Sequence, residues 1–237
     1  MTSPNPWQVQ GQFPDGPDLG AGDGPMRPTS ALKLAVWAAL AVWCVVLIAE
    51  AITAQLQLDV IASADADRAD VRSYDNLTLA LTIWEYCATA LVATALISWL
   101  FRVRANALVI RDDGQRWRKS WLVLGWFVPI VAFWVPKQVV DDIWTASKPA
   151  QQDRPGSGKH LLVSAWWLTW MLYCFLGTFA YKDIGTGGDL VSLRDTASVT
   201  LFLSFLGLLP ALLLALVVWK VSRFQDTQTA RITAALA

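Results

Sequence analysis

WLVLGWFVPIVAFWVP, residues 121–136, is the stretch whose reading decides how this chain meets a membrane. It is apolar and marked by tryptophans and prolines, and it lies in a 59-residue segment, Arg102 to His160, that carries ten basic residues. Around it are four longer apolar stretches, residues 34–54, 77–101, 161–181 and 196–219. Each is long enough to cross a hydrocarbon core of about 30 Å, which takes roughly 20 helical residues. With 55% hydrophobic and 16% charged residues, the chain departs from soluble domains, whose charged share is about 25%. The composition is that of an integral membrane protein.

Lysines and arginines in short loops decide orientation, the richer side facing the cytoplasm. If residues 121–135 span, the five crossings divide the basic residues ten against nine, which is no bias. If they do not span, fifteen fall on one side and four on the other (Arg68, Arg72, Lys182 and Arg194). Eight aspartates, at 59, 65, 67, 70, 75, 183, 189 and 195, then share the side poor in basic residues. Length agrees, because fifteen helical residues reach only about 22 Å. Pro129 removes a backbone donor and disfavours helix at Val128. Broken backbone at membrane depth persists only where protein or a water-filled cavity satisfies it. The expectation is an all-α membrane protein with four transmembrane helices, a re-entrant or interfacial element at 121–136 and both termini cytoplasmic. A tilted fifth helix is the alternative.

Residues 137–148 read as a short amphipathic helix. Val139, Val140, Ile143 and Trp144 share one face and Gln138, Asp141, Asp142 and Thr145 the other. Pro136 suits the first turn and Pro149 ends the run. This helix is expected at the cytoplasmic interface, with Trp144 at headgroup level. Residues 1–30 hold six prolines and five glycines and are expected to be disordered. They lack the basic n-region of a signal peptide, so 34–54 is read as a retained first helix. Residues 31–225 form the membrane domain and 226–237 a cytoplasmic tail.

Several motifs together resemble a known family. They are Trp99-Leu100-Phe101-Arg102 with Arg104-Ala105-Asn106-Ala107, Gly125-Trp126-Phe127-Val128-Pro129-Ile130, Trp134-Val135-Pro136-Lys137-Gln138-Val139-Val140, and Ile143-Trp144-Thr145-Ala146-Ser147. This pattern resembles the bacterial, mainly actinobacterial, membrane family called domain of unknown function 4328. The resemblance is densest over residues 99–147 and fades near Val221 to Gln225. It marks Arg102, Asn106, Trp126, Pro129, Trp134, Pro136, Gln138 and Trp144 as family-motif residues, and it implies a membrane protein without assigning an activity. Where the family often has Ala-Asn after its first proline motif, this chain has Val131-Ala132.

Two acids fall inside spans, Glu50 about 6 Å and Glu85 about 12 Å from the outer ends. Sequential helices are usually neighbours, so the two carboxylates are placed to meet in the outer half of the bilayer. Thr78, Thr82, Glu85 and Thr89 form a polar stripe on the second helix. Intramembrane acids are costly, which makes a proton or cation path one reading. The other leaves Glu50 at the outer interface and Glu85 hydrogen-bonded within the bundle, with Lys182 or Arg194 available as a counter-ion.

The basic exit from the second span, Arg104, Arg111, Arg116, Arg118 and Lys119 beside Arg102, is read as contacting anionic lipid headgroups. Trp166, Trp167, Trp170 and Trp219 are read as interfacial anchors. Cys44, Cys87 and Cys174 lie in spans and are read as small buried hydrophobes, with neither disulfide nor metal spacing. The single histidine, His160, rules out a bis-histidine haem and is expected to cap the third span. Pro210, three residues after Gly207, marks an expected kink in the last span. Zero net charge gives no footprint for nucleic acid, and no nucleophile elbow, phosphate loop or dinucleotide fingerprint is present. The sequence therefore favours a cofactor-free, non-catalytic scaffold, regulatory or accessory subunit that acts through a membrane-protein partner or as a homo-oligomer. The alternative is a small proton- or cation-coupled channel or transporter using Glu50 and Glu85.

Overall fold

A computed structural model describes residues 26–63, 68–111, 115–149, 160–180 and 190–236. The expectation of disorder for residues 1–30 falls mostly on residues 1–25, outside the described residues. The described chain is all helical, in the order α1 (Ser30–Ala62), α2 (Arg68–Ile110), α3 (Trp121–Phe127), a 3-10 turn (Val131–Phe133), α4 (Val135–Ser147), α5 (Leu161–Phe179) and α6 (Leu190–Leu236). Among the described residues four helices are long and apolar enough to cross a membrane: α1, α2, α5 and α6. Of these, α1, α2 and α6 overrun the expected spans, because polar residues at their ends continue the helix beyond the apolar core, while α5 stops two residues short of its expected end. Residues 226–236, expected as a separate tail, are the last three turns of α6. That helix also runs through Pro210 as one element.

The centre of the bundle is α1, packed along α6 and α2, with α5 against α6. Val36, Leu40, Trp43 and Leu47 line its buried stripe at helical spacing. The apolar side chains on the outside, such as Val45, Ile48, Leu79, Ile83, Phe202 and Leu212, are exposed in the manner of a lipid-facing surface.

Residues 121–136 form a broken hairpin. Val128 leaves α3 in extended conformation (φ −83°, ψ 110°), as the following Pro129 demands. The hairpin's two arms start and finish at the same end of the bundle. On the first arm the Arg104 guanidinium donates to the Trp117 carbonyl at 2.8 Å, and the Trp117 indole donates to Gln138 Oε1 of the second arm at 3.0 Å. Between them Trp126 and Phe127 border a cavity shared with Trp43, Trp170 and Pro210, residues from the middle of three spans. The segment thus reaches mid-bundle and turns back, with Phe127, Ile130 and Phe133 at its tip 73%, 71% and 63% exposed. Gly125 makes the close return feasible: a Cβ there would stand 3.0 Å from Val135 Cγ1. The indole of Trp167 donates to the Phe133 carbonyl at 2.9 Å and so satisfies backbone that the break leaves open.

Three expectations are corrected. Trp144 is only 6% exposed, wedged against His160 and Phe224 with ring centroids 5.4 Å away in each case, because α4 lies against α2, α5 and α6 and not flat on a membrane surface. Trp166 and Trp167 are core residues and not anchors, since α5 turns them toward the hairpin; Trp219 alone of the expected four is clearly exposed, with the Arg223 guanidinium over its ring. Cys87 points outward, while Cys44 and Cys174 are half-buried.

Candidate functional site

Two sites emerge, one at each end of the bundle. At the end where α1 starts and α2 and α6 finish, here termed the basic end, an amide network joins four elements. Asn106, buried on α2, accepts from the Arg27 backbone N–H at 3.0 Å and donates to the Arg27 carbonyl at 2.9 Å, grasping the chain ahead of α1 on both sides. Its amide also donates to Gln225 Oε1 of α6 at 3.0 Å. Gln225 in turn donates to the Val103 carbonyl at 2.7 Å and to Ser147 Oγ of α4 at 2.9 Å. Nearby, the Trp99 indole donates to Ser222 Oγ at 3.2 Å, and Arg102 reaches the Pro28 carbonyl at 3.3 Å. Buried polar groups this fully paired rigidify and specify one arrangement.

The expected polar face of α4 is partly covered: Asp142 is buried, Gln138 and Asp141 are half-buried and Thr145 is exposed. Asp142 is buried and holds Arg116 through the backbone N–H at 3.1 Å, Nε at 2.9 Å and Nη2 at 2.7 Å. The hydrogen bond that the guanidinium donates to Asp142 raises the Arg116 pKa above its already high ordinary value. Since Arg116 is largely exposed, its contribution is positional more than Coulombic: it closes residues 115–120 over α4. Of the five expected headgroup contacts, Arg104 and Arg116 are thus engaged within the protein, while Arg111, Arg118 and Lys119 remain exposed, Lys119 lying 5.7 Å over the Phe101 ring. His160 meets Thr145 Oγ1 at 3.0 Å and makes no side-chain cap on α5. Pro129 and Trp134 are exposed in the hairpin, Trp126 packs on Trp167 at 6.0 Å, and Pro136 occupies the first turn of α4.

The opposite half of the bundle encloses a cavity of about 640 Å³ to which α1, α2, α5 and α6 all contribute. Glu50 and Glu85 both line it, as the expected pairing of the first two spans requires. Glu50 is 8% exposed, so it faces inward and not toward the interface. Thr53 and Gln57 follow it on α1, and Thr78 and Thr82 precede Glu85 on α2, so each antiparallel helix brings a carboxylate with polar company one turn toward the open end. Thr89 leaves this stripe and lines the apolar cavity under the hairpin instead, about 210 Å³ in volume.

The Tyr173 hydroxyl of α5 donates to Glu85 Oε1, a hydrogen bond within the bundle. Lys182 lies outside the described residues. The Tyr173 ring packs edge-on to Trp43 at 5.7 Å, and Trp170 stands 6.1 Å from Trp43, so this aromatic triad divides the polar cavity from the apolar one. Gly207 allows the approach: a Cβ there would lie 2.8 Å from Leu47 Cδ1 and 3.0 Å from Tyr173 Cε2. Sequence reasoning overlooked Tyr173, Ser204 and Gln225. The one available signal was polarity inside apolar runs, with Tyr173 and Gly177 continuing the helical spacing of Trp166 and Trp170.

Fold and cavity define a multi-pass helical membrane protein with a broken hairpin that turns back at mid-bundle and an acidic chamber between its long helices. The chain belongs to the family described as Domain of unknown function (DUF4328), whose model matches residues 62–223. The hairpin, Asn106, Glu85 and Tyr173 fall within the matched residues, whereas Glu50 and Gln225 fall outside them. No curated protein and no solved structure matches the chain.

Proposed function

We propose that the protein is a small cation-binding channel or transporter of the cytoplasmic membrane, with the acidic chamber opening outward and both termini in the cytoplasm. The observation that carries this reading is the convergence of Glu50 and Glu85, from two helices, on one chamber whose described lining contains no lysine, arginine or histidine. A carboxylate in apolar surroundings is costly, and two sharing a water-sized or larger space favour a counter-cation between them. Exposed Arg111, Arg118 and Lys119 suit anionic headgroups at the cytoplasmic leaflet. No catalytic step is part of the proposal.

A second reading, a non-catalytic scaffold or accessory subunit acting with a membrane partner or another copy, is favoured by one fact. Several family-motif residues, Arg102, Asn106, Gln138 and Trp144, are spent on tying the basic end together. Flux separates the two. In reconstituted vesicles the wild type is expected to carry proton or cation flux that falls at least about tenfold in Glu50→Gln/Glu85→Gln, the loss of roughly one charge-assisted contact. Equal flux in both, or none in either, returns the assignment to the second reading.

Orientation is tested separately, in a background lacking the three native cysteines. Ser63→Cys is expected to react with an impermeant maleimide from outside the cell, and Thr227→Cys only after permeabilisation. The reverse pattern inverts the proposed topology.

A further inference from the structure

We infer that the ligand of the acidic chamber is a primary-ammonium solute, a small organic amine, and not a bare metal or alkali ion. The inference rests on the cation-binding reading above and names its substrate class.

Hydrogen-bond polarity carries the argument. The Thr53 hydroxyl donates to the Ala49 carbonyl at 2.9 Å, Thr82 to Thr78 at 2.9 Å, Thr178 to Cys174 at 2.8 Å and Thr196 to Ser192 at 2.8 Å. All four line the chamber. A hydroxyl has one proton and two lone pairs, so each of these, its proton committed to its own helix, offers acceptors only. The Tyr173 proton is likewise committed, to Glu85. Two carboxylates and four acceptor hydroxyls outweigh the donors of the lining, among them the Gln57 amide, and suit a positively charged ligand with several N–H donors. An alkylammonium has three such protons.

Ser204 Oγ, in a residue 2% exposed, lines the chamber beside the Glu50 carboxylate, with which it interacts without a hydrogen bond of ordinary geometry; a guest that draws the two together would complete the pairing.

Size then separates the cations. About 640 Å³ is within the range of roughly 300–1,000 Å³ used for small organic ligands. A bound hard metal requires oxygens closed around it at about 2.0–2.6 Å. Among the described residues no group of three or more His, Cys, Asp or Glu could hold one.

The test is titration calorimetry of the full chain in nanodiscs with butylammonium, tetramethylammonium and sodium chlorides. Butylammonium is expected to bind at least about tenfold more tightly than tetramethylammonium, which has equal charge but no N–H, the equivalent of one charge-assisted hydrogen bond. Thr53→Val and Thr82→Val, each checked for unchanged melting, are each expected to weaken butylammonium severalfold while leaving tetramethylammonium alone, a pattern that a purely structural role would not produce. Equal or tighter tetramethylammonium binding, or binding of sodium alone, overturns the amine assignment and leaves the cation-binding reading standing. Absence of binding by all three cations overturns both.

Discussion

Gln225→Leu is expected to destabilise the protein by about 2–4 kcal/mol, read as a shifted unfolding transition in detergent micelles. The substitution is close in volume, so the loss comes from the groups it abandons and not from a void. One N–H of Asn106 and the hydroxyl of Ser147 lose their partner inside the protein, and the Val103 carbonyl loses its side-chain donor. Each buried group left unsatisfied costs about 1–3 kcal/mol. Water entering at the helix ends offsets part of this. The exposed Thr227→Ala, half a turn further along α6, is expected to stay within about 0.5 kcal/mol. Equal stability of Gln225→Leu and wild type would mean that the network does not hold the basic end.

Gly207→Leu is expected to act at the other end, on packing and chemistry together. Its Cβ would already stand 2.8 Å from Leu47 Cδ1, so the end of that buried leucine must shift, and the rest of the new side chain needs more room than that shift provides. Overpacking of this kind costs about 1–3 kcal/mol. The branch beyond Cβ meets the Tyr173 ring, so the hydroxyl is driven off Glu85. Cation flux in vesicles is expected to drop at least about tenfold, as for loss of a charge-assisted hydrogen bond. Gly207→Ala asks only for a small shift of a flexible leucine end, so it is expected to fold normally with a milder flux change. Full flux in Gly207→Leu would disconnect Tyr173 from the function of the chamber.

The spans and the broken hairpin were legible from sequence because both depend on local quantities: run length, Pro129 and the division of basic residues. The meeting of Glu50 with Glu85 was legible for a related reason, since a short connection makes neighbours of α1 and α2. Side-chain direction was not. In α5 nearly every residue is apolar, so hydropathy has no preferred side and could not turn Trp166 and Trp167 inward. The helix 137–148 did have two distinct sides, but Asp142 and Gln138 on its polar one are met by Arg116 and Trp117, a tertiary event that leaves no periodic trace, while Thr145 stays exposed. The Tyr173 to Glu85 bond joins residues 88 positions apart on helices that are not consecutive, beyond the reach of spacing arguments.

The grip of Asn106 on the Arg27 backbone also sets an order of assembly. Synthesis delivers α1 before α2 and α6, so the residue that grasps the chain ahead of α1 comes 79 positions later, and the glutamine that braces that residue comes a further 119 after it. Until α6 is made, the residue that grasps the start of α1 lacks its brace from Gln225. A helix made later thereby serves as the latch on one made earlier.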